Sequence, residues 1–395
     1  MNAIARFNRS IWIAQLGVIS VIAAATTAQQ ARFTVREIVT QPRGWGSTWH
    51  AKLLDDGTVV RSGSRDGVAV AQIGSAEPIE FPSFSTAWQW QANPLSVDHF
   101  FTLSGSPAGK AIARVTTVGT VVISLVPDLS AVSVQCVRAD GWPVATWALP
   151  SPDAIGASVA FNEREVEELQ APAGVDSYKI YQIAPNGDEI ARSFTSGSYV
   201  QYVRYNRASG APPIALRIDG ATSSYLTVGR FNRQGHALAA ELISPKPGIL
   251  VGTTVMPFAP EGSPIPYLLN DVEQATVRAG KGSNEPGLME HGVAASLLDD
   301  IDGLPSGTIQ WGDAASLTNR GEILWRVTID GAAKYLVLTP TSTIPGDVDR
   351  DGVVGGYDLE ALIALWGTDS PAADVNEDAT VDSRDLAMLL ANWSL

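Results

Sequence analysis

The sequence predicts a mainly β fold: a body that closes as a six- or seven-bladed β-propeller, followed by a small all-α module built around two acidic loops. Three observations predict it. A short apolar strand, a turn with glycine and a second apolar strand recur between residues 32 and 340. No amphipathic helix of ordinary length interrupts them. The last fifty residues then repeat a twelve-residue acidic pattern, and an apolar i, i+3, i+4, i+7 stripe follows each copy.

Taken from the N-terminus, the first element is a targeting segment. Arg6 and Arg9 precede an apolar run from Ile11 to Ala25, and Thr26-Thr27-Ala28 follow. A basic patch, a short apolar stretch and small residues make a secretory signal peptide over residues 1–28. The run is short of the ~20 residues that a bilayer span requires, and no later segment is long enough. A secreted or cell-surface location, with no membrane span after cleavage, is therefore expected. Cys136 is the one cysteine, which rules out an internal disulfide and leaves the body to its own core. It sits in the alternating run Val132-Ser-Val-Gln-Cys-Val137, where a buried structural thiol is the expected reading.

The body, residues 32–340, carries the turn glycines Gly57, Gly119, Gly187, Gly235 and Gly321. Each follows a short apolar strand and supplies the positive φ that a tight hairpin needs. Their spacings of 62, 68, 48 and 86 residues are uneven. If the longest covers two units, and degenerate copies lie at Pro143–Trp147 with Ala157–Ala160 and at Ile265–Leu269 with Ala275–Arg278, the unit is ~40–50 residues, the size of a propeller blade. A pair of β-sandwiches is the rival architecture, with a less regular repeat. The stretch Leu317-Thr-Asn-Arg-Gly-Glu-Ile-Leu-Trp325 also resembles the Asn-x-x-Gly repeats of secreted bacterial propeller-like proteins.

Local motifs in the body assign no catalytic residue. His50, His99, His236 and His291 stand outside any zinc spacing. Leu103-Ser-Gly-Ser-Pro-Ala-Gly109 does not match a nucleophile elbow, and Ala279-Gly-Lys-Gly-Ser283 lacks the spacing of a phosphate loop. Four carboxylates around one arginine in Asn162–Leu169 read as a solvated face. Trp45, Trp49, Trp88, Trp90, Trp142 and Trp147 offer stacking faces for a polysaccharide, although core packing uses the same residue.

The chain carries a formal net charge of −14. Between Gly346 and Leu395 eleven acidic residues face only Arg350 and Arg384. With this balance and no basic stripe, nucleic acid is excluded as a partner; clustered carboxylates suit a hard cation instead. After a Thr/Pro-rich linker at residues 341–346, the module spans 347–395. Its first loop runs from Asp347 to Asp358, with Asp347, Asp349, Asp351 and Asp358 at positions 1, 3, 5 and 12, Gly352 at position 6, and Val353 at position 7 offering a backbone carbonyl. Calcium takes six to eight oxygens, and this spacing wraps them around one point. The second loop begins 27 residues later and offers Asp374, Asn376, Asp378, the carbonyl of Thr380, Asp382 and Asp385, with Ala379 in place of glycine at position 6. Two Ca2+ sites are therefore expected. Leu359, Leu362, Ile363 and Trp366 map by the same offset onto Leu386, Leu389, Leu390 and Trp393, one apolar face on the helix after each loop.

A tandem of calcium loop plus following helix, with Asp at position 12, resembles a type I dockerin over these fifty residues. The resemblance implies a protein partner, cohesin-like or on the cell surface, contacted by helix residues and by loop positions 10 and 11. Those positions are Gly356-Tyr357 and Ser383-Arg384, where cellulosomal members carry Ser-Thr. Dockerins often accompany polysaccharide-degrading enzymes. Three readings follow: a non-enzymatic secreted protein whose body binds a carbohydrate or protein ligand, an extracellular glycoside hydrolase or lyase, and a structural envelope component. The first is preferred because the body shows no catalytic constellation.

Overall fold

A computed structural model describes residues 31–90, 99–106, 109–116, 121–125, 133–137, 142–147, 157–161, 166–183, 187–194, 201–218, 226–232, 235–241, 247–251, 254–257, 266–279, 285–290, 293–341, 344–350 and 353–394. The predicted signal peptide, His291, Asp351 and Gly352 fall outside them. From residue 33 to residue 340 the described elements are strands, apart from the 3₁₀ turns Arg207–Ser209 and Leu298–Asp300.

These strands form seven sheets of four or five strands each, taken in chain order, in a propeller arrangement. Six of them occupy residues 50–81, 86–125, 133–169, 177–215, 217–257 and 266–296. The seventh joins the chain's two ends. Strand Phe33–Val39 pairs antiparallel with Ala332–Pro340, which continues through Ile323–Ile329 to Ile309–Leu317. A ring closed by hydrogen-bonding the first strand to the last leaves no free seam to open. Phe33 and Val39 are both fully buried, so closure also buries apolar surface.

Strand Ile309–Leu317 at the edge of the seventh sheet packs beside the edge strands His50–Leu53 and Pro266–Leu269 of its neighbours, and apolar residues fill the gaps between sheets. Trp325 and Trp311 meet edge to face in the cluster around the seventh sheet, with centroids 6.2 Å apart. The Trp325 indole N–H donates to the carbonyl of Gly312 at 2.9 Å, so its one polar group is satisfied. Trp45 and Trp49 lie in the core shared by the first and seventh sheets.

The recurring turn has one geometry. In residues 54–58, 232–236, 270–274 and 318–322, the first residue's N–H donates to the fifth residue's carbonyl, and the fourth residue's N–H donates back to the first residue's carbonyl. The fourth residue adopts positive φ: Gly57 at 81°, Gly235 at 79°, Glu273 at 60° and Gly321 at 74°. Glycine takes this conformation at little cost; Glu273 does so against its Cβ. All four turns join an edge strand of a sheet to its neighbour. Gly119, by contrast, falls between the third and fourth strands of its sheet, in a loop outside the described residues. It therefore lies between a different pair of strands, which is one reason the sequence spacing is uneven. Neighbouring turns are laced together: Asn232 Nδ2 donates to the Asn270 carbonyl, Asn270 Nδ2 to the Thr318 carbonyl, and Asn319 Nδ2 to Asp55.

Among the described residues beyond Pro340 there are two helices, α1 (Gly356–Ala364) and α2 (Ser383–Ala391). It enters the module through Gly346, whose φ is +94°. A Cβ there would lie 2.5 Å from Leu389 Cα in α2, so the entry requires glycine twice over.

Candidate metal centre

The first loop brings three carboxylates together. Asp347, Asp349 and Asp358 each offer an oxygen within 4.8 Å of the others, and all three are buried. Three like charges so close, taken from water, are costly unless a cation joins them. Arg350, at loop position 4, is the nearby basic group; burial is the largest influence on it and lowers its pKa, while Asp347 and Asp358 act the other way. A buried, oxygen-only donor set fits a hard divalent cation such as calcium.

The position-12 carboxylate also builds the loop. Asp358 Oδ1 accepts from the N–H groups of Val348 (2.6 Å) and Asp349 (3.2 Å), and Oδ2 from that of Gly355 (2.6 Å). Asp385 repeats the pattern in the second loop, with Val375 (2.8 Å), Asn376 (3.1 Å) and Asp382 (2.8 Å). Each aspartate thus ties loop positions 2, 3 and 9 to the third residue of the following helix, where a carboxylate also suits the helix dipole.

The other candidate ligands of the second loop are half-buried or exposed. Asp374 accepts from the N–H groups of Asp378 and Ala379, Asn376 Oδ1 from that of Asp378, and Asp378 Oδ1 from that of Thr380. Asp382 caps α2 through the N–H of Arg384. The Arg384 guanidinium holds Asp378 Oδ2 at 2.7 Å, and that hydrogen bond is the chief reason the Asp378 pKa is lowered. Ala379 adopts φ +68°, the left-handed geometry expected at position 6. Position 4 does the same in both loops, with Arg350 at +64° and Glu377 at +59°. No residue type announces left-handed backbone at position 4, so sequence inspection missed it. Val353 is exposed, and Asp351 lies outside the described residues.

The buried stripe differs from the expected one. Leu362, Leu365 and Leu389 are fully buried, with Val348, Val354, Ala373 and Val381 around them. Ile363, Trp366 and Leu390 are exposed by 58%, 46% and 53%, so Trp366 does not report the core. For Trp366 the reason is helix length. α1 ends at Ala364, and the turn through Leu365 to Gly367 (φ +75°) swings Leu365 inward and Trp366 outward. With Tyr357, also exposed, they leave apolar surface on the module.

In the body, the chemistry-bearing residues stay apart. His50 is half-buried at a strand start, and His236 Nδ1 pairs with Glu273. Glu167 is exposed on the last strand of its sheet. A cavity of about 550 Å³ opens beside strand Ile309–Leu317, lined by Glu285, Gln310, Trp311, Asp313 and Arg326. It lies at the end of that strand away from the 318–322 turn. Asp313 there accepts from Arg278 at 2.6 Å. Among the described residues no helix is long and apolar enough to cross a membrane.

No curated protein is significantly similar to the chain. Solved structures that resemble it include a puromycin-hydrolysing peptidase from Mycobacterium tuberculosis, at 13% identity and TM-score 0.50, covering 77% of this chain and 55% of that one. A virginiamycin B lyase from Staphylococcus aureus, in a catalytically inactive form, aligns at 12% identity and TM-score 0.49 over 78% of this chain and 99% of that one. The β-propeller domain of a protease from Pyrococcus furiosus aligns at 10% identity and TM-score 0.47 over 65% and 83%. Such identities speak to fold alone. The family model for the dockerin type I domain matches residues 345–392. That span takes in both loops and both helices, and the C-terminal module of this propeller chain is accordingly of the type I dockerin family.

Proposed function

We propose that this is an exported, calcium-dependent docking protein, in which the dockerin module attaches the chain to a cohesin-like partner and the propeller presents a binding face to a ligand. Each of the seven sheets is taken as one blade, and each acidic loop as one calcium site, with Asp347, Asp349, Asp351, Val353 and Asp358 serving the first and Asp374, Asn376, Asp378, Thr380, Asp382 and Asp385 the second. Export is assigned to the basic and apolar segment that opens the sequence.

One observation carries the reading. The module packs against the 270–274 and 318–322 turns, at one end of the sheets, while the cavity around Trp311 lies at the other end. Attachment and ligand binding can thus proceed at once. The exposed Tyr357, Ile363 and Trp366 supply apolar surface for the partner. A tryptophan beside two carboxylates, an amide and a guanidinium is a lining that suits a carbohydrate, through ring stacking and hydroxyl hydrogen bonds.

The test is a glycan array probed with the full chain and with Trp311→Ala, combined with an assay for released sugars. Binding that falls at least tenfold in the variant, with no sugar released, is expected. No glycan bound by the full chain would refute the carbohydrate assignment, and sugar release would replace binding with catalysis.

A further inference from the structure

The module's core is not closed by the module alone. Val272, from the sixth sheet's turn, belongs to the same buried cluster as Val348, Val354, Leu362 and Leu389. On one side of Val272, buried Asp271 accepts from the hydroxyl of Ser370 at 3.0 Å. On the other, the amide N–H of buried Gln274 reaches across to the carbonyl of Asp349, loop position 3 of the candidate calcium centre. The seventh sheet's turn flanks this contact, with Gly321 packed against the Arg350 side chain.

Gln274 is itself held rigidly. Its Oε1 accepts from Asn270 Nδ2 at 2.7 Å, and its Nε2 also donates to Glu290 at 2.8 Å. Glu290 in turn forms a two-oxygen ion pair with Arg32, next to the strand that closes the ring. The propeller therefore presents a preset hydrogen-bond donor to the backbone of the first loop. A charged contact from the second loop to the body, the exposed Arg320–Glu377 pair at 3.9 Å, is too long and too solvated to matter much.

We infer that the Asn270–Gln274 turn is a docking site for the first calcium loop, so that metal occupancy of that loop and seating of the module on the propeller are one coupled equilibrium. The inference rests on calcium being the ion bound, as proposed above. Its physical basis is preorganisation. A loop whose position-3 backbone is already oriented gives up less freedom when its carboxylates close on a cation. The short tether after Pro340 keeps the module at high effective concentration beside the turn. Linkage then requires reciprocity: whatever factor docking adds to calcium affinity, calcium adds to docking.

The experiment uses the full chain carrying Asp374→Ala and Asp378→Ala, which leaves the first loop as the one to titrate with calcium by calorimetry. Gln274→Ala in that background should weaken calcium about five- to tenfold, the loss expected of one buried hydrogen bond. Ser370→Ala, which alters the module and leaves the propeller sequence intact, should weaken it in the same direction and covers the case in which Gln274→Ala fails to fold. Hydrogen exchange at the 270–274 amides should slow when calcium is added to the unsubstituted chain. Calcium affinity unchanged in both variants, or exchange at that turn indifferent to calcium, would overturn the coupling alone. Absence of calcium uptake by the unsubstituted chain would overturn the calcium reading and the coupling with it.

Discussion

Ala379 gives the cleanest test of how backbone geometry limits a metal loop. It holds φ +68° at position 6 of the second loop, where the sequence pattern expects glycine. A left-handed residue with a Cβ costs ~1–2 kcal/mol. Ala379 is exposed, so removing its methyl group gives up no buried contact, and its N–H bond to Asp374 Oδ2 belongs to the backbone and survives. Against the relief stands the extra freedom of glycine in the open loop, ~0.4–1 kcal/mol. The balance is ~0.5–1 kcal/mol in favour of Ala379→Gly, which converts to calcium binding about two- to fivefold tighter. Ala379→Val, β-branched in the same geometry, should move the other way. Calorimetric titration of the full chain, with Asp347→Asn and Asp349→Asn silencing the first loop, reads both. Unchanged or weaker binding by Ala379→Gly would refute the strain argument.

Two further substitutions probe other parts of the chain. Asp385→Asn replaces two oxygens that accept three backbone N–H groups with a single acceptor, at a fully buried position. It should lower metal-free module stability by ~1–3 kcal/mol, read by calorimetric unfolding in chelator; Asp358→Asn should lose less, because it also relieves the repulsion from Asp347 and Asp349. His50 has its pKa lowered from 6.5, by burial first and then by Arg326 and Lys52. Its neutral form is the one the fold favours, so its contribution is intact above pH 6.5 and is lost as pH falls through the lowered value. The body's Tm should decline on acidification below pH 6.5, and His50→Gln should reduce that slope; an identical slope in the variant would remove His50 from the account.

The module was legible because its information is local. Ligand spacing, the glycine or its absence at position 6, and the helix after each loop all lie within twelve to twenty residues of one another. Carboxylates at fixed offsets can converge only if the loop folds as it does. The propeller was legible as a class for a similar reason: a hairpin requires apolar strands and a residue tolerant of positive φ, and both are written at the turn itself. Turn chemistry does not say which pair of strands a turn joins, however, so Gly119 looked equivalent to Gly57. The copy at 270–274 was harder to see because Glu273 takes the left-handed position.

What the sequence by itself determined, then, is that the chain has a repetitive β body, with turns of known chemistry, and a duplicated acidic loop–helix module. Only the tertiary structure decided that Phe33–Val39 closes the ring and that Leu365 rather than Trp366 enters the module's core. It alone placed Val272, Asp271 and Gln274 against the first loop. The physical reason is sequence separation. Gln274 and Asp349 are 75 residues apart, and Asp271 and Ser370 are 99 apart. No periodicity or spacing rule relates residues so distant; they meet because packing the sheets around one axis brings them there.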